Sequence, residues 1–211
     1  MKLVAFIPIK LKNDRLPGKN LRMLGDKPLI LYQQEELLKL KSEFTSINVY
    51  CSDPTIKQYL LEGVTFIQRP SFLDLSTTKG NAIYSEFINT VDADFYLLDH
   101  VTAPFVTAAS MSKMINAIKT GRYDSAFAAY TIKKFLWANG KPLNFDISDL
   151  PRTQDLAPVY VDQCGPYIFS RDLFAHYHRR IGFHPFIQAL DFRESIDIDT
   201  AEDFDLAVKY L

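Results

Sequence analysis

Apolar residues fall along this chain in short runs of strand length, separated by stretches in which they recur at helical spacing. Leu3 to Ile9 reads LVAFIPI and gives way to the polar, glycine-containing stretch Lys10 to Asn20, the pattern of a buried parallel strand feeding a loop. Leu29 to Leu40 carries Leu29, Ile30, Leu37, Leu38 and Leu40 among polar residues, which predicts an amphipathic helix, and INVYC at Ile47 to Cys51 returns to strand character. The alternation continues with a helix over Pro54 to Leu61, a strand at Val64 to Ile67, a helix around Gly80 to Val91 and a strand at Asp94 to Asp99. This succession of βαβ units predicts an α/β fold built on a mostly parallel, doubly wound sheet.

Further along, Thr107 can cap a helix whose Met111, Met114, Ile115 and Ile118 share one face, and Gly121 stands where that helix would stop. The methionines read as core. Ser125 to Ile132 has strand character, whereas Lys133 to Leu156 is irregular and holds the only Trp, which predicts an excursion from the main sheet. Thr200 followed by Asp203 is a capping-box pattern, and Phe204, Ala207, Val208 and Leu211 form one face of a closing helix. Without an internal repeat or a low-complexity linker, residues 1–211 read as one domain, with the excursion at about 133–185.

Composition narrows the functional classes. The 24 Lys and Arg against 25 Asp and Glu leave a formal charge of -1, so no global basic field exists to hold a nucleic acid polymer, and any anion must be met locally. No apolar run reaches the roughly 18 to 20 residues needed to cross a bilayer, and the first strand leads into a polar loop without a cleavage-like segment. A soluble, cytoplasmic protein without a membrane partner is expected. Cys51 and Cys164 are far apart and lack metal-ligand spacing, which argues against a disulfide framework or a zinc knuckle.

Three places can carry chemistry. The densest is KLKNDRLPGKNLR, where Lys10, Lys12, Arg15, Lys19 and Arg22 outweigh a single Asp14. A loop after the first strand of an open α/β sheet lies where ligands bind, and its charge suits a polyphosphate; a solvated basic loop is the plain alternative. Neither a Walker loop nor GxGxxG is present. The second is SIDIDT: on a strand, Asp197 and Asp199 project to one face while Ile196 and Ile198 enter the other. Two adjacent carboxylates suit Mg2+ shared with substrate phosphates, or simply favour the dipole of the following helix. The third is Asp99, at the carboxyl end of a strand, with His100 beside it; the pair can reach a metal or orient a substrate, or close a turn. His176, His178 and His184 show no ligand spacing.

These segments together carry a family pattern. IPIKLKNDRLPGKNLRMLGDKPLI at Ile7 to Ile30 resembles the opening signature of the acylneuraminate cytidylyltransferases, and RLPGK at Arg15 to Lys19 also resembles the related CMP-deoxy-manno-octulosonate synthetases. QRPSFLD at Gln68 to Asp74, RTQDLAPVY at Arg152 to Tyr160 and SIDIDTAEDFDLA at Ser195 to Ala207 agree in order, so the resemblance spans nearly the whole chain.

The resemblance implies a Rossmann-like three-layer sandwich with a small dimerisation excursion, and transfer of CMP from CTP to a sialic-acid-like or other keto-sugar acid for cell-surface polysaccharide. It implies that Lys10 and Lys19 neutralise the triphosphate and that Asn20 and Arg69 meet the nucleotide; Arg15, from the same basic loop, is expected on the triphosphate too, and Lys12 on the nucleotide in compensation for the lost glycine-rich segment. Arg152, Gln154, Tyr160 and Tyr167 match the family's substrate side, where Asp99 and His100 are expected from their place at a strand end, and Asp197 and Asp199 match the magnesium carboxylates. A homodimer is implied too, its excursion reaching the partner's sugar site. The chain departs from the pattern where Leu11 to Asp14 replaces GGSK, LLDHVTAP replaces LLQPTSP, Thr153 replaces the middle Arg of RRQ, and Asp162 to Tyr167 replaces ENGAIY. These departures leave open a different acceptor, a different nucleotide, or a CTP-binding protein lacking transferase activity.

Overall fold

The computed structural model describes residues 1–211, the side chain of Cys164 excepted; readings that rest on that side chain lie outside the described residues. Seven strands form one sheet: β1 (Leu3–Ile9), β2 (Ser46–Cys51), β3 (Val64–Gln68), β4 (Phe95–Leu98), β5 (Ser125–Ile132), β6 (Val159–Ser170) and β7 (Pro185–Leu190). Their spatial order is β7-β5-β6-β4-β1-β2-β3. β6 runs antiparallel between β4 and β5, and every other neighbouring pair is parallel. Five helices flank the sheet: α1 (Leu29–Lys39), α2 (Gly80–Thr90), α3 (Ala108–Lys119), α4 (Arg171–Tyr177) and α5 (Ala201–Val208).

The period-2 pattern of β1 explains the layering. Ala5, Ile7 and Ile9 enter a core shared with α1, α3 and α5, while Val4 and Phe6 enter a second core with α2 and α4. On the second side Phe6 stacks on Phe87, ring centroids 4.2 Å apart. A strand buried on both faces needs a continuous apolar run, which LVAFIPI supplies. The result is a three-layer α/β sandwich, as expected from the sequence.

Local chemistry fixes the elements nearest the functional loops. The Thr107 hydroxyl accepts from Ser110 N at 3.2 Å, and Glu194 Oε1 accepts from Thr107 N at 3.0 Å and from Ser110 Oγ at 2.8 Å. That carboxylate ties the start of α3 to the segment before Asp197. The capping box of α5 is complete, with Thr200 and Asp203 exchanging side-chain and backbone bonds.

One sequence expectation is sharpened and two are corrected. The helix expected over Pro54 to Leu61 is present as a 3-10 helix that ends at Tyr59: the buried Gln34 side chain donates to Tyr59 O at 3.0 Å and accepts from Leu61 N at 2.9 Å, taking the groups another turn would use. Ile196 to Asp199 is extended without joining a sheet; Ile198 N donates to Thr102 O at 2.8 Å, and the alternation survives with both isoleucines buried. The excursion ends before Val159, because β6 and β7 return to the main sheet. It holds a short hairpin, Trp137–Ala138 with Lys141–Pro142, and a 3-10 turn, Thr153–Asp155. No helix is long and apolar enough to cross a membrane among the described residues.

Candidate functional site

The strand order reverses at β1, which has β2 on one side and β4 on the other, and the crevice beyond its carboxyl end opens at Lys10. Two amide side chains fasten the loop that follows. Asn20 Nδ2 donates to Lys10 O at 2.7 Å and Asn13 Nδ2 to the same oxygen at 3.2 Å. Gly18 turns through a left-handed backbone, φ 67°, which a side chain would strain, and delivers Lys19 into the interior.

Lys19 is 7% exposed, and two of its three ammonium N–H donors are engaged from far along the chain. Nζ donates to Ile198 O at 2.7 Å and to Asp199 Oδ1 at 2.9 Å, while Arg15 Nη1 stands 2.8 Å from Asp199 Oδ2. The basic loop and the late aspartate therefore meet. Lys10, Lys12, Asp14, Arg15 and Lys19 line a cavity of about 220 Å³ at this junction. A second cleft, about 600 Å³, shares Lys10, Lys12 and Asp14 and runs on to Ser52 and Asp53 after β2 and to Ser71, Asp74 and Leu75 after β3. One end is cationic and the other mixes hydroxyls, carboxylates and apolar surface, a shape and size suited to a nucleotide.

Asp197 lies beside this pair. Its Oδ1 is closed off from solvent without a hydrogen-bond partner. Burial raises its pKa; the Thr102 hydroxyl opposes that shift and the neighbouring Asp199 charge adds to it. No group of three or more metal-ligating side chains gathers among the described residues. A magnesium site completed by substrate phosphates and water needs only one or two carboxylates, and an orphaned carboxylate oxygen beside Asp199 fits that donor chemistry.

The substrate-side residues separate into groups. Asp99 has no exposed surface; burial, with Glu36 adding, pushes its carboxyl up to about 7, although the His100 N–H opposes the shift. His100 faces both charged clusters. Burial, helped by the Arg180 and Lys19 charges and opposed by Asp162 and Asp199, lowers it to about 4. Tyr167 is buried in β6, its hydroxyl 2.5 Å from Asp162 Oδ1 and the Arg180 guanidinium 3.9 Å above its ring. Arg152, Gln154 and Tyr160 are exposed and line neither cavity, with Arg152 paired to Asp155 at 2.7 Å.

Arg69 is 2% exposed and donates to Asp74 Oδ1 at 2.5 Å, so the carboxylate rather than the guanidinium forms the cleft wall. Sequence reasoning quoted Asp74 within QRPSFLD without giving it a role, and it passed over Arg180 altogether. A carboxylate five residues after an arginine is a common spacing, and only the 3-10 turn Ser71–Asp74 folds the two together.

A cytidylyltransferase family model matches residues 4–210. The N-acylneuraminate cytidylyltransferase of Escherichia coli is 24% identical over 221 residues, covering 98% of this chain and 51% of the relative. The 3-deoxy-manno-octulosonate cytidylyltransferase 2 of Hydrogenovibrio crunogenus is 26% identical over 133 residues, covering 63% of this chain and 53% of the relative. The chain thus spans about half the length of the curated relatives it matches. Among solved structures, a CMP:2-keto-3-deoxy-manno-octonic acid synthetase complexed with CTP shares the fold at TM-score 0.74 and 19% identity, over 100% of this chain and 98% of that one. With the match running through both the Lys10 loop and the Asp199 segment that meets it, the chain belongs to the cytidylyltransferase family.

Proposed function

We propose that this protein transfers CMP from CTP to a hydroxyl of a keto-sugar acid and releases pyrophosphate. The observation that carries the reading is the junction of Lys19 and Arg15 with Asp199, since both cations line the small cavity that shares Lys10, Lys12 and Asp14 with the nucleotide-sized cleft. In the reaction the acceptor oxygen bonds to the α-phosphorus, the bond from that phosphorus to the bridging oxygen breaks, and the hydroxyl proton passes to solvent. No enzyme nucleophile is needed. Lys10, Lys19 and Arg15 offer fixed positive charge to the departing pyrophosphate, and a preordered loop lowers the barrier by positioning and electrostatics. Asp197 and Asp199 would hold Mg2+, which when bound neutralises phosphate charge.

The same reading makes the protein a homodimer. Trp137, Leu143, Ile147 and Leu150 are well exposed on the excursion, Phe135 less so, and a second copy of the chain is the occupant that would cover this apolar face. Since CTP and the acceptor are cytosolic metabolites, the protein would work in the cytoplasm and feed cell-surface polysaccharide synthesis.

The decisive experiment measures pyrophosphate released from CTP with a panel of keto-sugar acids, with UTP and ATP as competitors. Acceptor-dependent release with CTP is expected. Saturable CTP binding without release from any acceptor would leave only a nucleotide-binding protein, and preferential competition by UTP or ATP would reassign the nucleotide.

A further inference from the structure

Resting on the CTP reading above, we infer that Asp74 selects cytosine over uracil, its carboxylate accepting the 4-amino group of the base. Asp74 closes the 3-10 turn after β3, its side chain is 32% exposed, and it lines the end of the cleft away from Lys10 and Lys12. Both carboxylate oxygens are held from behind. Arg69 Nη2 donates to Oδ1 at 2.5 Å, and Ser52 Oγ donates to Oδ2. An ionised carboxylate has roughly four acceptor positions, so each oxygen keeps one for a donor arriving through the cleft.

The charge layout sets the orientation of a bound nucleotide. Lys10 and Lys12 outweigh Asp14 at one end and Asp53 and Asp74 stand at the other, so a triphosphate is drawn to the lysines and its base lies toward Asp74. At that position cytosine presents an amino donor and uracil a carbonyl acceptor. A fixed anion accepts from the first and repels the second, so one residue provides attraction to the right base and rejection of the wrong one. Arg69, nearly fully buried behind the carboxylate and over the Tyr50 ring at 5.9 Å, is a positioning residue.

The test is calorimetric titration of the full chain with CTP, UTP and the pyrimidin-2-one ribonucleoside triphosphate, which lacks the 4-amino group. Wild-type protein is expected to prefer CTP over both analogues, and Asp74→Asn to reduce the CTP-to-UTP ratio roughly 10- to 100-fold. The ratio comes from one preparation, so partial loss of folded protein leaves it unchanged. Ser52→Ala, which frees one oxygen, should lose part of the preference. If Asp74→Asn does not fold, the wild-type comparison still decides, since equal affinity for CTP and the pyrimidin-2-one nucleotide overturns the inference. A cytosine preference that survives intact in Asp74→Asn overturns the Asp74 assignment alone. Wild-type protein that binds none of these nucleotides overturns the CTP reading and the assignment with it.

Discussion

Lys19 and Asp199 are 180 residues apart in sequence and 2.9 Å apart in space. The ammonium is closed in and its partner is a third exposed, so the contact joins the interior to the surface. Arg15 shares the same carboxylate from the solvent side, with its side chain 67% exposed.

Those exposures predict different outcomes for the two cations. Lys19→Ala leaves Ile198 O without its donor and Asp199 half-partnered, so it should cost about 1–3 kcal/mol of stability and roughly 10²- to 10³-fold in turnover. Arg15→Ala removes a solvated pair and should change stability by less than about 1 kcal/mol, with a raised KM for CTP. Denaturant titration and steady-state kinetics on both variants check the split, and equal stability losses would contradict it.

Asp197→Asn is expected to separate stability from function. The folded-state pKa of Asp197 is raised above its ordinary value, so its charged form opposes folding once the pH rises through that range. Removing the charge should raise Tm at pH 7.5, change it little near pH 4, and lower activity most at low magnesium. Thermal scans at the two pH values, with a magnesium titration of the rate, provide the measurement; a lower Tm at pH 7.5 counts against the burial argument.

Asp99 and His100 make opposed contributions to the pH dependence of stability. Asp99 holds its proton in the fold up to about 7, so between its ordinary value of 3.8 and that point rising pH costs stability. His100 is neutral in the fold down to about 4 against an ordinary 6.5, so across that window rising pH adds stability. The two slopes oppose each other between about pH 4 and 6.5. Asp99→Asn should uncover a stability that climbs with pH, and His100→Gln one that falls. Denaturation midpoints at half-unit pH steps distinguish the variants, and identical slopes would refute the pairing.

Trp137→Ser together with Leu150→Ser should weaken self-association. Both side chains are exposed on the excursion, while the nearby Phe135 and Phe145 rings pack on each other at 4.6 Å and support the local fold. Light scattering at low micromolar concentration should show the wild type at twice the mass of one chain and the double variant shifted toward a single chain. A wild type that stays monomeric would remove the dimer reading.

Much of this architecture was legible from pattern. LVAFIPI marked the central strand because burial on both faces demands an unbroken apolar run, and Thr200 with Asp203 marked α5 because a cap is local chemistry. The Lys10 loop and the carboxylates Asp197 and Asp199 were flagged by charge against a neutral background. What escaped depends on distant partners. The 3-10 form of Pro54–Tyr59 follows from Gln34 on α1, and the return of the chain into β6 and β7 follows from pairing with β4 and β5. Asp74 belongs with these, since its facing is set by Arg69 and Ser52 together.

The fastening of Lys19 to Ile198 and Asp199 also bears on how the chain emerges during synthesis. Until residue 199 leaves the ribosome, Lys19 and Arg15 lack their carboxylate partner and the basic loop, with Asp14 as its one acid, stands as an open anion trap. Cellular polyphosphates and RNA would find it most accessible in that interval. Competence for nucleotide and release from such unintended company thus arrive together, in one step.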